Sequence, residues 1–153
     1  MKKSAGILLY KKLKTDNYFF IAHPGGPFWK NKDLGSWSIP KGEFNDEERP
    51  LDAAIREFEE ETGIKLEGDF IELNPVKLKS GKTIYAWALE KDVDEKTIKS
   101  NEFAFEWPPK SGKFIDVPEI DKCGWFKASE AIEKLNLAQG DFVRELVAII
   151  SNK

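Results

Sequence analysis

The chain has 153 residues, 41% hydrophobic and 33% charged, an ordinary balance for one domain with one substantial core. A formal net charge of −3 argues against a dedicated binder of duplex nucleic acid, whose footprint is basic. It leaves a phosphorylated small molecule open, because a metal can supply local positive charge. Cys123 is the only cysteine, which excludes an intrachain disulfide and is compatible with a reducing, cytoplasmic setting. Beside Gly124 and Trp125 it reads as a small packed residue rather than a nucleophile. The basic start MKKSAGILLYKK has an apolar run of only about five residues, too short for a signal-peptide core or a membrane span, so no membrane partner is expected.

In chain order, residues 4–11 show a short buried-strand pattern, and residues 17–23, rich in aromatic and branched side chains, predict a second strand. Thr15, Asp16 and Asn17 supply turn chemistry between them, so a hairpin is expected. Residues 24–36 form a Gly- and Pro-rich loop. Trp37, Ser38 and Ile39 are expected to make a short strand. Pro50 opens a helix at a position that needs no N–H. Leu51, Ala54, Ile55 and Phe58 form its apolar stripe, and Gly63 closes it in the left-handed conformation. Further strands are predicted over 70–73, 83–89, 102–107 and 122–127. Ser129 is expected to cap a short helix over 130–135. Residues 141–150 predict a last amphipathic helix with Phe142, Val143, Leu146, Val147 and Ile150 on its apolar side. Strands, helix, strands, helices in that order predict an α+β or α/β/α layered domain with a mixed sheet over residues 1–153.

The stretch 42–64, GEFNDEERPLDAAIREFEEETGI, concentrates carboxylates. Glu57 lies three residues before Glu60 and four before Glu61, which puts all three on one helix face. Like charges at that spacing repel, and Glu60 and Glu61 near the helix C-terminus also oppose the macrodipole. Each effect costs a few tenths to ~1 kcal/mol. A solvated acidic face is one reading in so charged a chain. The other is a hard divalent cation, Mg²⁺ or Mn²⁺, for which carboxylate oxygens are suitable ligands.

Gly42, Glu48, Arg56, Glu57, Phe58, Glu60, Glu61, Gly63 and Ile64 meet every specified position of G-x5-E-x7-R-E-U-x-E-E-x-G-U, where U is apolar. The stretch therefore resembles the Nudix box, with Phe58 bulkier than the usual Ile, Leu or Val. The resemblance implies an α/β/α sandwich with a mixed β-sheet and the box as a loop–helix–loop at the sheet edge. It also implies hydrolysis of a diphosphate bond in a nucleotide, with Mg²⁺ or Mn²⁺ as cofactor. Metals neutralise phosphate oxygens, lower the pKa of bound water and hold attack in line, while a carboxylate removes the proton. By the same resemblance, Glu57, Glu60 and Glu61 are metal ligands, joined by the backbone carbonyl of Lys41. Arg56 orients a box carboxylate. Glu48 holds an outer metal through water or stiffens the loop, and Gly42 and Gly63 serve as backbone residues. The general base stays open between Glu57 and Glu119. Glu119, in PEIDKCGWF, resembles a downstream acidic residue that is a ligand or base in many members; the alternative is an ordinary loop carboxylate.

Three features read as selectivity elements. Phe28 and Trp29 in HPGGPFW are candidates for stacking on a base, worth ~1–3 kcal/mol, or for covering the core. His23, the only histidine, reads as a structural residue at a strand end rather than a phosphate contact. Lys41, before the box glycine, resembles members acting on diadenosine polyphosphates, diphosphoinositol polyphosphates or capped RNA ends. Lys30, Lys32 and Lys41 are candidates to face polyphosphate. The third is NEFAFEWPPKSGK, residues 101–113, where Trp107, followed by Pro108, Pro109 and Lys110, is a candidate second wall of the pocket. Tyr85 lies later than the tyrosine expected in diadenosine polyphosphate hydrolases. SAGILLY, HPGGPFW and WSIPKGE together resemble a bacterial group of predicted nucleoside triphosphate pyrophosphohydrolases. The expectation is a metal-dependent hydrolase of a small-molecule nucleotide, either a dinucleoside polyphosphate or a nucleoside triphosphate. Its rivals are a catalytically idle nucleotide sensor and an RNA 5′-end pyrophosphohydrolase.

Overall fold

The computed structural model describes residues 2–152. From the N-terminus it runs β1 (Lys3–Leu13), β2 (Asp16–Pro24), β3 (Lys41–Phe44), α1 (Pro50–Thr62), β4 (Ile71–Glu72), β5 (Val76–Lys77) and β6 (Thr83–Glu90). A 3₁₀ turn (Glu95–Thr97) leads to β7 (Glu102–Glu106), β8 (Phe114–Pro118), β9 (Ile120–Lys127) and α2 (Ala128–Lys134). A second 3₁₀ turn (Leu137–Gln139) precedes α3 (Gly140–Ser151).

Alternation along β1 creates two cores. Ala5, Ile7 and Leu9 point to one face of the sheet, where α1 covers them with Ala53, Ala54 and Phe58. Leu8 and Tyr10 point to the other face, covered by Ala131 of α2 and by Phe142, Val143 and Leu146 of α3. The result is the α+β architecture with a mixed sheet between helical layers. Phe20 packs on Phe58 with ring centroids 6.2 Å apart and on Trp125 at 5.1 Å, which ties β2 to α1 and β9.

The sheet order is β4-β6-β1-β2-β9, with β1 and β6 parallel and the other pairs antiparallel. β2 pairs with β1 only over Tyr10–Leu13, whereas β3 pairs with β1 over Lys3–Gly6. β3 therefore takes up the β1 edge that β2 leaves, and the sheet splits between β2 and β3. β7 and β8 form a separate antiparallel hairpin that leads directly into β9.

Several expectations need correction. Trp37, Ser38 and Ile39 do not form a strand; Trp37 and Ser38 make only isolated bridges, to Leu135 and Ala22. The strand lies at β3 instead, because pairing with β1 imposes extended backbone on Lys-Gly-Glu-Phe. β5 and β8 were not predicted. Ser129 is not an N-cap: α2 starts at Ala128, with Lys127 at the cap position and no side-chain cap bond. Helix α1 matches its signals, with Pro50 in its first turn and Gly63 at φ 82° beyond its end, the Gly63 N–H donating to the Glu59 carbonyl at 2.7 Å. Among the described residues no helix is long and apolar enough to cross a membrane.

Phe58 has no solvent exposure and anchors α1 to the sheet. Phe58→Ala is expected to lower unfolding stability by about 3–5 kcal/mol. Urea titration should show an earlier midpoint; a loss below 1 kcal/mol would mean that α1 is held chiefly by other contacts.

Candidate active site

Helix α1 and strand β3 meet so closely that one contact dictates a residue type. A Cβ at Gly42 would overlap the carboxylate of Glu57. With glycine there, the Glu57 carboxylate lies against the backbone of β3. Arg56 holds the same carboxylate from the other side, its Nη1 donating to Glu57 Oε1 at 2.8 Å. Nη1 also donates to the two oxygens of Glu60 at 3.1 and 3.2 Å. Nε and Nη2 form a fork onto Glu48, at 2.8 and 2.9 Å. Arg56 therefore fastens the loop before α1 to the helix and gathers Glu57 and Glu60. Glu48, then Glu60 and Glu57, hold its guanidinium firmly charged against the cost of burial.

Glu61 lies on the buried side of α1, on the same face as Ala54 and Phe58, and is only 7% exposed. Burial, then repulsion from Glu119 and Glu57, pushes its pKa up to about 9, with Lys41 opposing the shift. Glu57 is also raised, first by burial and then by Glu60 and Glu119, against the pull of Arg56. Burial and then Glu60 raise Glu119. Burial, followed by repulsion from Lys82, lowers the Lys41 ammonium, while Glu61, Glu43 and Glu57 support its charge. The carboxylates thus compete for too little positive charge.

An open cleft of about 370 Å³ lies where β2 and β3 part, and its walls include Trp29, Ile39, Lys41, Glu61, Phe103 and Glu119. Glu119 is placed by its backbone: its N–H donates to the Asn101 carbonyl at 2.9 Å, and its carbonyl accepts from Gly25 N–H at 3.1 Å. These bonds join the foot of the β7–β8 hairpin to the loop after β2. His23 braces the same loop from beneath. Fully buried, it lies 2.8 Å from Asp121 Oδ1 through Nδ1 and 2.6 Å from the Lys32 carbonyl through Nε2. It is a structural residue in this arrangement.

The cleft brings together Trp29, Lys41, Glu61 and Glu119 of the residues singled out by sequence. Glu57, Glu60 and Arg56 form the adjoining cluster on α1. Phe28 is not in the lining; it is 50% exposed, edge-on to Trp29 at 4.8 Å, with Lys32 Nζ 3.9 Å from its ring centre. Lys30 and Lys32 are exposed outside the lining. Trp107 stands at the outer end of the hairpin, and Tyr85 packs edge-on to Phe44 at 6.0 Å. Within the 101–113 segment the wall residue is Phe103 and not the expected Trp107. The signal for Phe103 was the alternation of Phe103, Phe105 and Trp107, but the fold alone brings that strand to Glu119.

The donor set suits a hard divalent cation: carboxylate oxygens from the partly desolvated Glu57 and Glu61 and from the exposed Glu60, beside the backbone of β3. As arranged, no three His, Cys, Asp or Glu side chains among the described residues converge on one metal position. Arg56 spans Glu57 and Glu60, so a cation would have to draw these two carboxylates away from the guanidinium.

A family model described as the NUDIX domain matches residues 2–146. The chain is 42% identical over 79 residues to the asymmetrical bis(5'-nucleosyl)-tetraphosphatase of Rattus norvegicus, covering 46% of this chain and 54% of that one. It is 36% identical over 85 residues to a "Probable DHNTP pyrophosphohydrolase" of Lactococcus lactis subsp. cremoris, covering 54% and 45%. The matches therefore span about half the length of these relatives. Among solved structures, a C. elegans Ap4A hydrolase binary complex is similar in fold, with TM-score 0.69 and 20% identity over 98% of this chain and 99% of that one.

In metal-free protein the raised pKa of Glu61 has a readable sign. Its folded value of about 9 lies above its ordinary 4.5, so protonation favours the folded state. That stabilisation is complete below the ordinary value and is lost as pH rises towards about 9. Glu61→Gln, which stays neutral, is expected to flatten the fall of thermal midpoint over this range and to raise the midpoint at its alkaline end. An unchanged pH profile would show that Glu61 is ionised and well paired.

Proposed function

This chain belongs to the Nudix family, and on that premise we propose that it is a divalent-cation-dependent hydrolase that cleaves a phosphoanhydride bond in a nucleotide. The substrate class we propose is a dinucleoside polyphosphate, with a nucleoside triphosphate as the second candidate. The observation that carries the reading is Glu61: a carboxylate buried in the wall of a cleft, beside Glu119 and Glu57, with too little neighbouring positive charge to balance the three. A divalent cation supplies that balance, and family membership supports the hydrolase class.

When bound, Mg²⁺ or Mn²⁺ neutralises phosphate oxygens and makes water a competent nucleophile near neutral pH. Glu57, Glu60 and Glu61 would hold it, with the Lys41 carbonyl as a further oxygen donor. The protein supplies the remainder. Arg56 holds Glu57 and Glu60 close together on α1, from where a cation would draw their oxygens off the guanidinium. Lys41 lines the cleft, and its ammonium is suited to a phosphate oxygen. Trp29 and Phe103 give the cleft apolar faces for a nucleobase. We assign the general base to Glu119. It lines the cleft, its proton affinity is raised by burial, and no cation pairs with it among the described residues. Glu57, by contrast, is engaged by Arg56. The name of the rat relative, a bis(5'-nucleosyl)-tetraphosphatase, supports the two-nucleoside substrate. The net charge of −3 weighs against an RNA-end substrate.

The test is product analysis on diadenosine tetraphosphate and the common nucleoside triphosphates with Mg²⁺ or Mn²⁺. Turnover should disappear with EDTA and return with added metal. Glu60→Gln and Glu119→Gln are each expected to lower kcat by about 10²-fold or more while the thermal midpoint stays near that of the parent protein. Turnover that survives chelation, or near-normal kcat in Glu60→Gln, would contradict the assignment. Tight nucleotide binding without turnover would identify a sensor.

A further inference from the structure

The β7–β8 hairpin exposes more apolar surface than its own folding explains. Phe103, Trp107, Phe114 and Ile115 are 41%, 36%, 64% and 42% exposed, and all belong to this one ribbon. Strand alternation places Phe103, Phe105 and Trp107 on one face. Their rings form a continuous row: Phe103 meets Phe105 edge-on at 6.1 Å, and Phe105 lies nearly parallel to Trp107, also at 6.1 Å and with 22° between planes.

The row begins in the cleft, where Phe103 is part of the wall beside Glu119. It ends about 13 Å further out, at ~3.3 Å per strand residue. Ile115 lies opposite Phe105 and extends the same exposed face onto β8, whereas Val117, opposite Phe103, is buried and Phe114, opposite Glu106, belongs to the other face. The carboxylates of the ribbon are elsewhere. Ala104 pairs with Asp116 on the opposite face, and Glu106 closes the turn by accepting from the N–H groups of Gly112 at 3.0 Å and Lys110 at 3.3 Å. At the outer end, the Trp107 backbone N–H donates to the Lys113 carbonyl at 2.9 Å, which closes the ribbon there. The foot is fixed, because Glu119 bonds to Asn101 and Gly25, and Val117 is buried beneath Gly26.

We propose that Phe105 and Trp107 extend the cleft as a stacking track for the second nucleobase of a two-nucleoside polyphosphate. A cleft of about 370 Å³ is near the lower limit for a small-molecule site, so it has room for one nucleoside end. The other end must leave it, and the row starting at Phe103 is aromatic and continuous with the wall, with Phe105 and Trp107 nearly parallel at its outer end. Every base offers a π-face to such a surface. The assignment of two-nucleoside substrate rests on the function proposed above; the stacking surface itself does not require turnover.

The experiment compares Trp107→Leu, which keeps an apolar side chain without a flat ring, with Trp107→Phe, which keeps a ring. In the first arm, kcat/KM is measured for diadenosine tetraphosphate and for ATP. The ratio of the two is expected to fall about 5- to 150-fold in Trp107→Leu, mainly through KM for the dinucleotide, and to recover in Trp107→Phe. In the second arm, Kd for diadenosine tetraphosphate and for ATP is measured by calorimetry in the Glu60→Gln background, with the same selective loss expected. This arm separates the two claims: if the parent protein hydrolyses neither nucleotide yet Trp107→Leu loses dinucleotide affinity selectively, the hydrolase reading fails and the track stands. Unchanged selectivity in both arms overturns the track. So would a single-stranded oligoadenylate that outcompetes diadenosine tetraphosphate, which would assign the row to RNA. A dimer in gel filtration that Trp107→Leu dissociates would overturn it as well, since the face would then be covered by a second copy.

Discussion

The contact between Glu57 and the bare backbone of Gly42 is the constraint on which the site depends. It requires glycine at the start of β3 and a carboxylate on the second turn of α1, and it fixes how closely helix and strand approach. Arg56 completes the arrangement from the solvent side, with one guanidinium bonded to Glu48 in the loop and to Glu57 and Glu60 on the helix. Loop, strand and helix are thus joined through charged groups rather than apolar packing alone. The apolar side of α1, Ala53, Ala54 and Phe58, sets its height above the sheet.

That apolar side also carries Glu61. A carboxylate on a buried stripe loses hydration, and the nearby carboxylates Glu57 and Glu119 add repulsion. Lys41 offers only partial relief, because burial weakens its own charge. Such an arrangement is costly in a protein without a ligand, and a cation shared among the carboxylates would relieve it. The division of the sheet between β2 and β3 gives this charged wall access to solvent, and Trp29 and Phe103 give it apolar flanks.

Much of this was legible in the sequence. Gly42, Arg56, Glu57, Glu60, Glu61 and Gly63 stand at a fixed spacing on a loop and a helix, and local spacing survives folding unchanged. The ends of α1 were legible too, since Pro50 and Gly63 act through their own backbone restrictions. The role of His23 followed from its position at a strand end. What was not legible depends on distant pairing. β3 contains glycine and charge and shows no alternation, so its strand state comes from β1. β8, Phe-Ile-Asp-Val-Pro, is short and mostly exposed, and only its register with β7 identifies it. Phe103 and Glu119 are separated by most of the hairpin, and the bond from Glu119 N–H to the Asn101 carbonyl brings them to one cleft. Trp37 was misread as part of a strand because a core aromatic and a strand aromatic look alike locally; here it is 3% exposed against Phe126.

The central claim is that Glu57, Glu60 and Glu61 form a divalent-cation site that Arg56 keeps assembled. Electron paramagnetic resonance of Mn²⁺ titrated into nucleotide-free protein tests it most directly, because the readout is the ion and not turnover. The account predicts saturable loss of the free-ion signal with the parent protein and strongly weakened binding in a Glu57→Gln/Glu60→Gln protein that remains folded. Equal binding by both proteins, or no saturable binding to the parent with or without nucleotide, would contradict it.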